Sequence, residues 1–256
     1  MKKTLNKNLK SSIVFIASML VLWLIWVIAV KIVKNEYLIP SFSLTVKEFF
    51  ALMKERFFYL SYLMTVYRAL LTVAVSLILG VIFAVLSLVF KPVRSIIKVL
   101  VSIVRTLPTM AIILLILFWA SPTYAPVFVG VLVVFPMAYS QILTALLDEA
   151  DEMRKVIKVF NLSTKKAVSK IYLPKALPVV LEKTGENLSF AIKLIVSSEV
   201  MANTFRGVGG MIQTASVYME PSRLMALTLF AVITGVLIEL IFSATLKPFF
   251  KWNREG

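Results

Sequence analysis

The chain has 256 residues, of which 60% are hydrophobic and 16% charged, and its mean hydropathy is +0.92. It contains neither cysteine nor histidine, which excludes disulfides, thiolate or imidazole metal ligands and catalysis by either residue. The net charge of +15 does not indicate a nucleic-acid-binding protein, because no pattern of basic and aromatic residues accompanies it. In a chain this apolar, basic residues mark cytoplasmic loops and contacts with anionic membrane lipids.

The first half of the chain contains four predicted membrane spans. A hydrocarbon core of about 30 Å is crossed by about 20 apolar residues in a helix, whose backbone polar groups are satisfied within the segment. Four apolar stretches meet this requirement, at residues 11–33, 60–90, 97–120 and 127–147. The third carries Arg105 and Pro108, and the proline is expected to bend the helix.

The second half contains a charged loop and two further spans. Residues 148–175 are strongly charged and rich in helix-forming residues, which predicts helices outside the membrane. Spans follow at 176–201 and 222–246, and the first of them is weak by hydropathy and is assigned partly because the topology requires a crossing. The string RGVGG at 206–210 lies between them, where the free access of glycine to positive φ favours a tight turn. The predicted fold is all-α, a polytopic membrane protein with six transmembrane helices in one domain, residues 1–256.

The distribution of basic residues predicts the orientation of the chain. With the N-terminus inside, 17 of the 28 Lys and Arg residues fall in cytoplasmic segments and 7 in outer loops. Lys and Arg are enriched in the short cytoplasmic loops of membrane proteins. Both termini and the loop at 148–175 are therefore predicted to face the cytoplasm, with the protein in the cell inner membrane.

The loop at 148–175 also contains a specific pattern. Its segment KVIKVFNLSTKKAVSKIYLPKALP, residues 155–178, includes Ile171, Leu173 and Pro174 and then a second Leu-Pro pair. The segment resembles the coupling loop of type I ATP-binding-cassette (ABC) importer permeases, in which a glutamate and alanines precede a glycine and the motif closes with Ile-x-Leu-Pro. The repeated Leu-Pro is similar to that of the nitrate, taurine and sulfonate type.

The loop departs from the family pattern at three positions. Lys155 stands where the family has glutamate, Ile157 where it has alanine and Asn161 where it has glycine. Asparagine is one of the few non-glycine residues that adopt the left-handed conformation of a turn between helices. The cation at Lys155 removes a carboxylate, so either a salt bridge to the ATPase is absent or another acid in the loop replaces it. The acids available are Glu149, Asp151 and Glu152.

The resemblance implies that this loop docks on the ATPase. The residues that it assigns to the contact are Glu149, Glu152, Lys155, Lys158, Asn161, Leu162, Ser163, Leu173 and Pro174. The alternative is a charged helical hairpin on the protein surface with no partner.

The similarity extends over nearly the whole chain. Four further segments follow the family order and contain, in turn, Arg68 with Gly80, Arg105 with Pro108, Glu199 with Gly207 and Gly209, and Glu239 near the end of the last span.

Ionisable side chains inside the predicted spans indicate candidate pathway residues. A charge at mid-span costs at least about 2.5–3.5 kcal/mol unless it is paired or hydrated. On a helix, the polar residues of the fifth span form one stripe: Glu182, Lys183, Glu186, Ser189, Lys193 and Ser197. Two interpretations stay open, a face lining a water-filled conduit and a face whose charges pair internally or reach the interface. The predicted pathway residues are Arg105, Pro108, Glu186, Ser189, Lys193, Ser197 and Glu199.

The resemblance implies an importer in which two copies of the permease enclose the pathway. An ATPase dimer docks on the loops at 148–175, and an extracytoplasmic substrate-binding protein delivers a small molecule such as an organic anion, a sulfonate or a vitamin-like compound. The chain is expected to be a transport subunit rather than an enzyme and to bind no cofactor directly. RGVGG lacks the Lys-Ser/Thr and the preceding strand of a nucleotide loop, so the chain is not expected to bind ATP itself. ATP and Mg²⁺ then belong to the ATPase. The alternative, an ion-coupled secondary transporter or channel, would be favoured by internal repeats, and none is visible.

Overall fold

The computed structural model describes residues 2–148 and 150–246, and the secondary structure within them is helical. The α-helices are α1 (Lys2–Val33), α2 (Phe42–Leu52), α3 (Arg56–Val89), α4 (Lys91–Thr106), α5 (Thr109–Leu117), α6 (Ala125–Asp148), α7 (Ala150–Val159), α8 (Thr164–Ala167), α9 (Leu173–Ala202), α10 (Val208–Val217) and α11 (Pro221–Leu246). A π-helical segment, Val168–Tyr172, joins α8 to α9. The all-α fold predicted from the sequence is confirmed.

The third predicted span is not one continuous helix. Five of the six spans each correspond to a single helix, but residues 97–120 divide into α4 and α5, which meet at an angle of 97°. Leu107 and Pro108 between them are extended, with ψ of 133° and 124°. Proline lacks an N–H and disfavours the helical conformation in the residue before it, so the helix ends here rather than bending gently as the sequence suggested.

Within the described part of the chain, three helices are long and apolar enough to cross a membrane by themselves: Arg56–Val89, Ala125–Leu147 and Pro221–Phe242. The bent pair of α4 and α5 is a fourth crossing if it is counted as one span. The described apolar part of α1, Leu20–Val33, is shorter, and α9 carries several charged side chains. The 30 residues of α9 still correspond to about 45 Å, enough for a crossing. The protein is a polytopic membrane protein, and six crossings remain a prediction.

Helices α3, α6, α9 and α11 form the centre of the bundle. A Cβ atom at Gly80 of α3 would lie 3.2 Å from the Ala138 Cβ of α6, and one at Gly130 of α6 would lie 2.7 Å from the Thr72 side chain of α3. Small residues of this kind let helices in a membrane approach closely. Fully buried apolar side chains fill the space around these contacts, among them Ile113, Ile142, Leu188, Ile195 and Leu227. The packing fixes one side of α9 against the bundle.

The charged loop folds into two short helices and then continues into α9. Asn161 has φ 45°, the left-handed conformation expected for this position, and it ends α7. Pro174 does not start a new helix, because the chain is helical from α8 through the π-helical segment into α9. The Leu173 N–H donates to the Val168 carbonyl five residues earlier. This wider turn accommodates the ring and the missing N–H of Pro174.

We expect both termini to face the cytoplasm, and labelling of single cysteines tests this. The chain has no native cysteine, so a membrane-impermeant thiol reagent reports each introduced position alone. Cysteines at Ser121 and Pro221 should react from outside intact cells, and one at Ser163 only after the cells are permeabilised. Labelling of Ser121→Cys or Pro221→Cys only from the cytoplasm would show that the orientation is reversed.

Candidate functional site

Helix α9 presents an exposed face that runs along its length. Glu182, Glu186, Lys193 and Ser197 are exposed at helical spacing, together with Phe190. These residues include most of the polar stripe predicted from the sequence. They lie on the outside of a single protomer, so this face is available to water, to lipid or to a second copy of the chain.

The charges of this face are only partly paired. The Lys183 ammonium lies 3.0 Å from a Glu186 carboxylate oxygen, one of the pairings that the sequence had suggested. The Ser197 hydroxyl donates to the Lys193 carbonyl on the same helix at 2.9 Å. Among the described residues, the Lys193 ammonium has no hydrogen-bond or ion-pair partner.

Two of the predicted pathway residues are not on the exposed face. Ser189 is only 5% exposed, because α11 covers it. Its hydroxyl lies 3.3 Å from the position where Gly235 would carry a Cβ. Glu199 is completely buried. Both side chains belong to the interior of the protomer.

Arg105 and Pro108 lie at the elbow between α4 and α5. The Arg105 guanidinium donates to the Pro136 carbonyl at 3.2 Å and to the Ser140 hydroxyl at 2.8 Å, both on α6. Its side chain is otherwise exposed. Pro108 caps the start of α5. The elbow therefore directs a cation to the surface of the protomer and anchors it on α6.

A buried ion pair between Arg68 and Glu199 lies at the end of α9 that leads into the RGVGG segment. Thr65 and Gly209 also bind Glu199, and we call these four residues the Glu199 cluster. Arg68 of α3 donates from Nη1 to Glu199 Oε1 at 2.6 Å, and the two side chains are 2% and 0% exposed. The Thr65 hydroxyl and the Gly209 N–H donate to Glu199 Oε2 at 2.8 and 3.0 Å. The carboxylate thus has a cation and two further donors, as a buried charge requires.

The cluster ties three separate segments together. Arg68 also donates from Nη1 to the Arg206 carbonyl at 2.6 Å and from Nε to the Thr123 carbonyl at 3.2 Å. Glu199 lies at the N-terminus of α10, where the helix dipole favours a negative charge. The turn before α6, the end of α9 and the start of α10 are therefore held on α3.

The glycines of RGVGG are needed for close packing, and the expected positive φ is not found. No glycine in the described part of the chain adopts the left-handed conformation, and Gly207 is extended at φ 175°. A Cβ at Gly207 would lie 2.5 Å from the Glu199 carboxyl carbon, and one at Gly209 would overlap the Val196 carbonyl oxygen. At Gly210 it would overlap the Thr204 carbonyl oxygen. The turn itself uses Asn203, at φ 47°.

Sequence reasoning identified Glu199 but missed its partners. Arg68 was noted only as a family-like residue, and Thr65 was not singled out. A signal was available, because α3 and α9 run in opposite directions, so that Arg68 in the first half of α3 and Glu199 near the end of α9 lie towards the same end of the bundle. An opposite charge is the most effective partner for an ion in a span.

The predicted coupling residues form an exposed tip. Lys155, Lys158, Asn161 and Ser163 are exposed and Leu162 is half-buried. Leu173 and Pro174 are exposed at the start of α9. Glu149 lies outside the described residues, as does the side chain of Glu152.

Exposed apolar residues accompany these lysines. Val159 is 78% and Phe160 70% exposed at the end of α7, next to the Asn161 turn. Met153, earlier in α7, is buried. The tip thus combines apolar and basic side chains in a helical frame.

Comparison with known proteins identifies the family. The chain matches the family of binding-protein-dependent transport system inner membrane components over residues 76–250. A crystal structure of an amino acid ABC transporter with histidines is similar over 74% of this chain and 90% of that chain, with a TM-score of 0.59 and 16% sequence identity, which shows a shared fold. No curated protein matches the chain. The chain belongs to the binding-protein-dependent transport system inner membrane components, the permeases of type I ABC importers.

Proposed function

We propose that this permease forms the translocation pathway of an ATP-driven importer as one of two copies, and that its 148–175 loop couples the pathway to the ATPase. The observation that carries the coupling role is the exposed tip formed by Lys155, Lys158, Val159 and Phe160 around the Asn161 turn. Apolar side chains at such exposure are stabilised by burial against a partner.

The basic residues of the tip define the partner surface. Lys155 and Lys158 flank the apolar residues, so the groove of the ATPase that receives the tip offers carboxylates where the family has a basic group. The ATPase subunits bind ATP and Mg²⁺, and their closure moves the coupling loops. An extracytoplasmic binding protein supplies the substrate, and both termini of the permease face the cytoplasm.

The exposed face of α9 lines the pathway. Exposure of the Lys193 charge to lipid would cost at least about 2.5–3.5 kcal/mol, whereas a hydrated conduit between two copies removes this cost. The substrate is a small polar molecule. The ion-coupled transporter or channel has no observation in its favour, since the family acts with binding proteins.

Changes in the tip should disrupt coupling. Lys155→Glu places a negative charge against the carboxylates of the partner. Asn161 has a positive φ, which proline cannot adopt, so Asn161→Pro disrupts the turn. Each is expected to lower co-purification with the ATPase, or substrate-stimulated ATP hydrolysis, by about tenfold or more, as a loss of about 1.4 kcal/mol would. Both quantities are measured in one preparation.

The matched control is Lys91→Glu, which makes the same charge change on an exposed residue at the start of α4, outside the 148–175 loop. Lys91→Glu should assemble and hydrolyse ATP like the parent. If Lys155→Glu and Asn161→Pro do so as well, the tip is not the docking element.

A further inference from the structure

Contacts with α6 show how far along the bundle axis two cations, Arg105 and Lys193, are located. Arg105 binds Ser140 on α6, and Asn187 of α9 donates to Gln141 on α6 at 3.1 Å, so Arg105 and Asn187 lie at one level. Lys193 lies six residues beyond Asn187 on α9, about 9 Å nearer the end that carries the Glu199 cluster. The helix that follows the Arg105 elbow, α5, packs against both α6 and α9. The two cations are thus at neighbouring depths in the bundle.

Away from the ends of the predicted spans, these are the cations whose charge is not neutralised within the described chain. The other two are paired, Arg68 with Glu199 and Lys183 with Glu186. Arg105 contacts only uncharged groups, a carbonyl and a hydroxyl, and leaves Nε and Nη1 without a described partner. Lys193 has no described partner, and both side chains are exposed.

The unburied acids lie at a different level. Glu182 and Glu186 are on the cytoplasmic side of Asn187 on the same helix. Glu239 of α11 is beside Gly185, which is also on that side, since its carbonyl lies 3.6 Å from the Gly185 Cβ position. The stretch from the Arg105 level to the Glu199 cluster therefore carries uncompensated positive charge.

We propose that Lys193, supported by Arg105, is a recognition point for the oxyanion group of the substrate, a carboxylate or sulfonate, as it passes along α9. The inference rests on the proposed function, because it takes the exposed face of α9 to line the pathway. Phe190, one turn towards the cytoplasm, offers an apolar surface, and Ser197, one turn outwards, offers a hydroxyl. Together they fit a small organic anion.

The local potential can be measured with charged thiol reagents, since the chain has no cysteine. Ser197→Cys places a thiol one helical turn from Lys193, and Met201→Cys serves as a second reporter. The permease is purified with its ATPase in phosphatidylcholine nanodiscs, which carry no net anionic headgroups. Reaction rates are compared for anionic 2-sulfonatoethyl methanethiosulfonate and cationic 2-(trimethylammonio)ethyl methanethiosulfonate. Ser121→Cys, in an exposed turn, is the reference.

The anionic-to-cationic rate ratio at Ser197→Cys is expected to exceed the reference ratio by about tenfold, which corresponds to a difference of about 1.4 kcal/mol between the two reagents, or about 0.7 kcal/mol per unit charge. Adding Lys193→Gln should return it towards the reference, Arg105→Gln should lower it by less, and Lys193→Arg should keep it high. A ratio equal to the reference, or one that Lys193→Gln leaves unchanged, overturns the proposal. So does failure of both reagents to react at both reporters, which would show a face covered by lipid or by the second copy.

Protection from labelling identifies the ligand chemistry. Propionate and ethanesulfonate are tested as a carboxylate and a sulfonate, with propanol as the uncharged control. Slower labelling with either anion and not with propanol supports the proposal. The more protective anion shows whether a carboxylate or a sulfonate is preferred. No protection by either anion counts against it. ATPase assembly is measured separately in the same sample, so a negative result with an intact complex overturns this inference and leaves the proposed coupling of the permease to the ATPase standing.

Discussion

Replacement of Gly209 or Gly210 with alanine is expected to remove most of the folded protein from the membrane. In each case the new Cβ overlaps a backbone carbonyl, that of Val196 or Thr204, which cannot rotate away. Overpacking against fixed atoms lies at the upper end of the range of about 1–3 kcal/mol. The yield of monodisperse protein after detergent extraction, measured by size-exclusion chromatography, reports the loss.

Gly235→Ala is the matched control for this prediction. The added Cβ would lie 3.3 Å from the Ser189 hydroxyl, a side-chain atom that can move, and 3.8 Å from the Ser189 carbonyl. The Gly235 variant should be recovered in near-parental amounts. Parental recovery of Gly209→Ala or Gly210→Ala would mean that residues 206–210 do not pack against the end of α9.

Removal of one member of the buried ion pair is expected to have the second large effect. Glu199→Ala leaves Arg68 buried without its anion, and Arg68→Met leaves the carboxylate without its cation. Breaking such a pair from one side costs about 3–5 kcal/mol. The change is measured as the shift in unfolding free energy when the purified protein is titrated with dodecyl sulfate in mixed micelles.

The double variant Arg68→Met with Glu199→Leu distinguishes an ion pair from two unrelated buried groups. Removing both charges leaves no uncompensated ion, so its destabilisation should be clearly smaller than the sum of the single effects. The exposed pair Lys183 and Glu186 is the control, and its removal should change stability by about 0–1 kcal/mol. Additive effects at Arg68 and Glu199 would contradict the coupling of the two charges.

The sequence predicted those parts of the fold that depend on local pattern. Apolar runs located α3, α6 and α11, because the bilayer thickness sets the length of a span. The helix–turn–helix around Asn161 could also be predicted, since asparagine is one of the few residue types that adopt positive φ at such a turn. Family-like motifs added the order of the segments.

Features that depend on neighbouring helices could not be predicted in the same way. The helical period placed Ser189 on the polar stripe, but α11 covers its side chain. This burial depends on tertiary packing, which the helical period does not show. The size of the bend at Pro108 depends on where α5 packs. The glycines were interpreted through φ, although what requires them is their close approach to the Glu199 side chain and to the backbone carbonyls of Val196 and Thr204.

The uninterrupted helical path from Thr164 to Ala202 acts as a rod that joins the two ends of the molecule. Its length is about 58 Å, and it carries the Asn161 turn just before one end and Glu199 at the other. A tilt of about 5° around the π-helical segment would displace the far end by about 4 Å over the roughly 45 Å of α9. Glu199 holds Arg68, Gly209 and the start of α10 at that far end, so such a tilt must either drag these groups along or break their hydrogen bonds. A displacement at the Asn161 turn would thereby reach the Glu199 cluster through one continuous helical path.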